Sequence, residues 1–311
     1  MNTPKDSLRT YTGTKKFSSS NIQLFMYAFL CFGFILVFNY LPLLGWVIAF
    51  FDYKAGISLL KTPFTGLKFF KMALFEPELL IVLKNTLIFS FLSLLLTPLP
   101  AIFAILMNEM RGVRVRKTIQ TLTTLPHFIS WVLVYTIMFV TFSSDGLLNK
   151  ILLNLNWIEK PTNLLGDRDA VYIFQTLIGL WKGLGYAAII YFAAITSIDP
   201  ELYDVACIDG AGRFQRILHI TVPGLYSTYI TLLVLSIGAL LNSGFEQYYL
   251  FYNPLVHHNI QVLDYYVYRV GIKQRDFALA TALGISKTAV SVLLLSVANF
   301  MSKKLRGQSI F

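Results

Sequence analysis

Residues 199–223 read DPELYDVACIDGAGRFQRILHITVP, a polar stretch set between two long apolar runs. The stretch opens with helix signals: Asp199 is a capping residue, Pro200 suits a first helical position, and Glu201 and Asp204 suit the positive end of a helix dipole. Leu202, Val205 and Ala206 then fall on one helical face at i, i+3 and i+4. Asp209-Gly210-Ala211-Gly212 interrupts that helix where only glycine adopts a positive φ at little cost. A second short helix is expected after the break, with Phe214, Ile217 and Leu218 on its inner face, and Pro223 is expected to open a new apolar span. The segment is therefore predicted to be helix, glycine turn, helix.

The rest of the chain sets this hairpin in a bilayer. Of 311 residues 56% are hydrophobic and 14% charged, more apolar surface than one soluble domain can bury. A span needs about 20 apolar residues. Six candidates lie near 22–51, 79–107, 119–142, 171–197, 222–245 and 277–301, which places the hairpin between the fourth and fifth. Pro42, and the pair Pro98 and Pro100, are the expected break points within long runs. The predicted fold class is an all-α integral membrane protein of six transmembrane helices. A cytoplasmic segment 1–21, one transmembrane domain 22–302 and a cytoplasmic tail 303–311 complete the division.

Orientation follows from local density of basic residues. Arg111, Arg114, Arg116 and Lys117 crowd one short loop, and Lys303, Lys304 and Arg306 follow the last span. Placing both clusters in the cytoplasm puts both termini and the hairpin there as well. The apolar run behind the basic N-terminal segment is longer than the core of a signal peptide and lacks a small-residue cleavage site, so it reads as an uncleaved anchor. The net charge of +10 borders membrane spans and lacks a soluble face with interleaved aromatics. It argues for anionic lipid rather than nucleic acid. Cys31 and Cys207 sit at different levels of this topology and are not expected to pair.

The hairpin resembles the coupling loop of binding-protein-dependent ABC importer permeases. The resemblance rests on Asp204-Val205-Ala206, where that family usually has Glu-Ala-Ala, on Asp209-Gly210-Ala211, and on Ile220 three residues before Pro223, in register with the rest. Further segments are similar to carbohydrate-uptake permeases of the polysaccharide-type subgroup: Leu-Pro-His-Phe-Ile-Ser-Trp at 125–131, Trp181-Lys182-Gly183, Ile-Tyr-Phe-Ala-Ala at 190–194, and Val-Leu-Asp-Tyr-Tyr-Val-Tyr-Arg at 262–269. What the resemblance implies is a permease subunit in a bacterial plasma membrane that moves oligosaccharides inward. Its implied partners are a second homologous permease, two ABC ATPase subunits and an extracellular solute-binding protein. ATP and Mg would be held by the ATPase, with no cofactor on this chain. The residues implied to meet the ATPase are Glu201, Asp204, Ala206, Asp209, Gly210, Ala211, Arg213, Phe214, Ile220 and Pro223.

A substrate path has weaker marks. Sugars stack their apolar ring faces on aromatics and offer hydroxyls to amides and carboxylates, so Trp181, Asn242, Glu246, Tyr248 and Tyr249 are candidates. Trp and Tyr also gather at membrane interfaces without any ligand. Lys182 and Lys287 lie deep in spans, where a lysine costs about 2.5–3.5 kcal/mol on insertion scales, so they are candidates for a polar cavity. Lys84 is close enough to a span end to reach water.

Catalytic chemistry has no such marks. Gly284-Ile285-Ser286-Lys287-Thr288 resembles a phosphate loop but lacks the glycine before lysine and lies in an apolar span. The four histidines have no metal-ligand spacing, and no serine, histidine and carboxylate converge at one membrane level. The chain is expected to be no enzyme. The alternative is a secondary transporter or channel working without an ATPase, which would use ionisable groups at the midplane.

Overall fold

The computed structural model describes residues 19–306. The segment 1–21 lies outside the described residues except for its last three positions. Of the tail 303–311, only residues up to 306 are described, and they continue the last helix. The chain forms two compact units that divide after Val47. The first unit holds α1 (Ser19–Ile35) and a widened π-turn, Leu36–Tyr40, which ends two residues before Pro42. That turn is where a proline break was expected: proline lacks an N–H and crowds the carbonyl four residues back, so the helix admits one more residue.

The second unit starts at Ile48. It comprises α2 (Lys68–Phe75), α3 (Pro77–Leu95), α4 (Pro98–Asn108), α5 (Val113–Phe128), α6 (Trp131–Phe142), α7 (Leu147–Asn154), α8 (Val171–Thr196), α9 (Pro200–Ile208), α10 (Arg213–Arg216), α11 (Val222–Gly238), α12 (Glu246–Leu250), α13 (His257–Ile260), α14 (Leu263–Tyr268) and α15 (Phe277–Arg306). The described residues form helices, with one isolated bridge between Phe51 and Phe64 and no longer strand. Among the described residues, six segments are long and apolar enough to cross a membrane.

Three span boundaries differ from the sequence expectation. The third expected span, 119–142, is two helices: α5 stops at Phe128, Ile129 is extended, and Ser130 caps α6 with its hydroxyl accepting from the Leu133 amide at 3.4 Å. The transmembrane candidate there runs Trp131–Asn154. The fifth was placed at 222–245, yet the helix ends at Gly238 and 239–245 turns before α12. Its start also differs in one respect: Pro223 lies in the first turn of α11 as expected, but the helical path begins before it. Helical structure is continuous from Arg213 to Gly238 through a π-turn at Ile217–Thr221, where the Val222 amide bonds the Ile217 carbonyl. As at Pro42, the extra residue relieves the proline's clash and missing donor.

Pro98 does break its run, since α3 ends at Leu95 and α4 begins at Pro98. The core lies where the spans meet the segment 246–273, with Phe89, Val134, Val171, Ile178, Tyr248, Phe251 and Tyr265 buried together. Two polar residues of α3 pin that segment. Asn85 donates to the His258 and Gln261 carbonyls at 2.7 and 3.1 Å and accepts from the Tyr172 hydroxyl at 2.7 Å. Thr86 accepts from the Leu263 amide at 2.9 Å. Buried polar groups held this way fix one register of helix against loop.

Candidate functional site: an exposed hairpin and a polar crevice

The hairpin forms as its sequence dictates. The Asp199 carboxylate accepts from the Glu201 amide at 3.0 Å, and Pro200 occupies the first turn of α9. Gly210 has φ +76°, the Gly210 amide bonds the Cys207 carbonyl at 3.1 Å, and the Ala211 amide bonds the Ala206 carbonyl at 2.9 Å. This paired pattern is a Schellman stop, and it needs a left-handed residue at its centre. Gly212 then precedes α10, and the Gln215 side chain accepts from its amide at 2.7 Å.

Two contacts fasten the hairpin to the spans. Arg213 reaches the C-terminal end of α4, where its guanidinium donates to both the carboxylate and the backbone carbonyl of Glu109. A cation there also complements the helix dipole. Tyr203 and Thr221 share a hydrogen bond of 3.0 Å between their hydroxyls, tying α9 to the π-turn.

Phe214, Ile217 and Leu218 do not form the expected inner face. Phe214 is 75% exposed and Leu218 50%, with Ile217 half-buried, because among the described residues none covers that face of α10. Leu202, Val205 and Ile208 of α9 are exposed as well. Of the other hairpin residues singled out above, Glu201, Asp204, Asp209, Gly210 and Pro223 are exposed, while Ala206, Ala211 and Ile220 are half-buried. The hairpin thus presents a bare apolar patch rimmed by carboxylates.

At the level of the spans, two adjoining cavities open between α3, α4, α8, α11 and α12. One, of about 170 Å³, is lined by Ser90, Ser93, Thr97, Ser236, Asn242, Ser243 and Tyr248 among others. The second, of about 350 Å³, shares Ser93, Thr97, Ser243 and Tyr248 and adds Gln175, Thr176 and Gln247. The Ser243 hydroxyl is buried there without a hydrogen-bond partner among the described residues. Gln247 donates to the Gln175 carbonyl at 2.8 Å and to its side-chain oxygen at 2.9 Å. Burial pushes the Tyr248 phenol well above its usual value, so it stays neutral. Such walls of hydroxyls and amides suit a ligand rich in hydroxyls.

Of the path residues proposed from sequence, Asn242 and Tyr248 are brought together in this crevice. Trp181, Glu246 and Tyr249 are exposed and line neither cavity. Lys182, a candidate for a polar cavity, is only 9% exposed. Its ammonium donates to the carbonyls of Pro126, His127 and Ile129 at 3.1, 2.8 and 2.6 Å and lies 5.3 Å from the Trp131 ring centre. Lys287 is paired with Asp264, which also accepts from the Gly244 amide at 3.3 Å.

The sequence reading missed Ser90, Ser93 and Thr97. Their spacing, i, i+3 and i+7 on an otherwise apolar run, was the available signal. Among the described residues, no three His, Cys, Asp or Glu side chains gather as a metal site.

Apolar helical segments long enough to cross a membrane, a polar crevice between α3, α4, α8, α11 and α12, and an exposed hairpin mark a polytopic transport protein. The chain belongs to the family of binding-protein-dependent transport system inner membrane components, whose model matches residues 97–307. It is 39% identical to Protein LplB of Bacillus subtilis over 89% of this chain and 87% of that one. It is also 39% identical to the polygalacturonan/rhamnogalacturonan transport system permease protein YteP of the same organism, covering 93% of this chain and 91% of the relative. Among solved structures, it matches a chain of a bacterial ABC transporter involved in the import of the acidic polysaccharide alginate, with TM-score 0.84, 32% identity, and 92% and 97% of the two chains covered. The protein is thus an integral membrane permease of the bacterial ABC importer class, a transport subunit rather than a catalyst.

Proposed function

We propose that this chain is one of two permease subunits of an ATP-driven importer, moves oligosaccharide fragments of a complex polysaccharide inward, and couples to its ATPases through residues 199–223. The observation that carries the coupling is the unbroken helical path from Arg213 to Gly238. A push on α10 is transmitted through the π-turn into the fifth span, which ends beside the crevice at Ser236 and Asn242. The apolar patch of Leu202, Val205, Ile208 and Phe214 seats in the ATPase, and Glu109 and Arg213 keep α10 from swivelling on its span. Closure of the ATPases then rocks the spans between inward and outward openings.

The oligosaccharide reading draws on names of relatives and on the hydroxyl- and amide-lined crevice. Relatives named for arabino-oligosaccharides as well as polygalacturonan support the broader class of glycan fragments. Hairpin, α4–α5 loop and both termini face the cytoplasm in this reading, and the solute-binding protein delivers substrate at the opposite end.

The test is to co-express the chain with its genomic neighbours, purify it through a tag, and measure ATP hydrolysis with binding protein and oligosaccharide. An associated ATPase stimulated by the loaded binding protein supports the importer. A chain that stays alone and moves solute without ATP overturns it in favour of a secondary transporter.

A further inference from the structure

A third cavity lies at the other end of the molecule. The helix α8 separates it from the hairpin: loop 143–170 precedes Val171 and the hairpin follows Thr196, so about 39 Å of helix at 1.5 Å per residue lies between. The cavity holds about 400 Å³, within the range of about 300–1,000 Å³ usual for small-molecule sites. Tyr135, Phe139 and Phe251 supply aromatic surface, with Tyr135 and Phe251 set edge to face at 5.1 Å. Ser143, Ser144 and Asp145 form one rim, and their side-chain oxygens have no hydrogen-bond partner among the described residues. Asn163 and Asn253 form the other, and each is held in place: Asn253 donates to the Leu165 carbonyl at 2.9 Å, and Asn163 accepts from the Gly166 amide at 3.2 Å.

Aromatic walls with unspent hydroxyl and carboxylate acceptors are what a pyranose ring requires: C–H faces against rings, hydroxyls donated to oxygens. The one charged group on the lining is Asp145. Arg168, close in sequence, is turned to the Leu255 carbonyl at 2.9 Å and does not line the cavity. A carboxylate in the ligand would therefore meet the like charge of Asp145 on a lining that itself carries no cation. We infer that this cavity is an entry subsite for one uncharged pyranose residue of the incoming glycan. It is distinct from the crevice, with which it shares no lining residue. The inference rests on the importer reading for its role in uptake, and its test is independent of that reading.

The test uses the complete transporter in lipid nanodiscs free of sugar-headed detergent, with saturation-transfer NMR on methyl α-D-glucopyranoside and on methyl α-D-galactopyranosiduronate. The measurement is made in a Ser93→Trp background, which fills the crevice and removes any sugar signal of its own. The neutral probe should still receive saturation there, and should lose at least about fivefold of that remaining signal when Ser144→Trp is added, where an exposed turn residue becomes a side chain that fills the cavity. The uronide should give a weak signal that rises in Asp145→Asn. No transfer to the neutral probe in the Ser93→Trp background, equal transfer after Ser144→Trp is added, or equal response to both probes would each overturn the inference. Ser144→Trp that spares pyranoside transfer but weakens capture of the binding protein marks a protein-docking surface and overturns it as well. Uptake by the wild-type transporter, measured alongside, tests the importer reading separately.

Discussion

The Lys182 ammonium lies 2.6 Å from the Ile129 carbonyl oxygen, in the gap between α5 and α6. With the Pro126 and His127 carbonyls it forms a three-oxygen cap on the open end of α5. The last carbonyls of a helix have no intrahelical donor, and in a membrane protein no bulk water supplies one. A lysine inside a span and a broken third span therefore have one cause. Lys182→Met should lower unfolding stability by about 3 kcal/mol, since it takes a charged donor from the half-buried His127 and Ile129 carbonyls and leaves the Pro126 carbonyl only the Ile129 amide. Lys182→Arg should restore little of it, because a planar fork cannot converge on three carbonyls as a compact ammonium does. Denaturation of the purified transporter measures both.

A close approach of backbones reinforces that junction. A Cβ on Gly185 would stand 2.3 Å from the Thr123 carbonyl carbon and oxygen. Backbone cannot yield as a side-chain tip does, so Gly185→Ala should push α5 off α8 and cost about 1–3 kcal/mol. Gly183→Ala, with nothing within 4 Å of its Cβ, is the matched control and should change stability little. Melting temperatures of the two variants should separate clearly.

Legibility in the sequence tracked how local each cause was. Asp199, Pro200 and Gly210 act within a few residues, and the hairpin they predict is the hairpin observed. Pro98 is likewise local. The break after Phe128 escaped notice because hydropathy is blind to it and its stabilising partner, Lys182, comes from α8 more than fifty residues later. Lys287 was legible as an exceptional residue, but its Asp264 partner was not, because pairing depends on how the segment before α15 folds back. The crevice was half legible: Asn242 and Tyr248 stood out by type, whereas Ser90, Ser93 and Thr97 were hidden as ordinary small residues of a span.

The Gly210 turn separates folding from coupling. Its φ of +76° is disfavoured for a side-chain-bearing residue by roughly 1–2 kcal/mol, yet the space around it is open. Gly210→Val should therefore insert and assemble at wild-type levels while ATP-driven uptake falls at least about tenfold, equivalent to about 1.4 kcal/mol of lost coupling. Normal uptake in a fully assembled Gly210→Val transporter would exclude the hairpin as the lever.

The crevice gives a size test. Ser93 lines both adjoining cavities, so one bulky side chain there obstructs the two together. Ser93→Trp should abolish oligosaccharide uptake while leaving binding-protein capture intact. Ser93→Ala, which removes one hydroxyl, should raise KM by roughly tenfold or less, the usual worth of a single neutral hydrogen bond. Uptake by Ser93→Trp at the wild-type rate would place the path elsewhere.

Arg213 and Glu109 offer the sharpest distinction between stability and mechanism. The Arg213 side chain is 55% exposed and that of Glu109 24%, so their pair should contribute little to folding, on the order of 0–1 kcal/mol. Its geometry nevertheless fixes α10 on the end of α4, and a hairpin free to swivel would absorb ATPase movement without passing it to α11. Arg213→Glu and Glu109→Arg should each leave melting nearly unchanged and uncouple ATP hydrolysis from uptake. The double exchange should recover part of the coupling, because the carboxylate contact is restored with reversed donors while the Arg213 bond to the Glu109 backbone carbonyl is not. Recovery in the double variant, measured as substrate moved per ATP, identifies the pair as a strut; two additive losses would mean that each residue acts on the ATPase by itself.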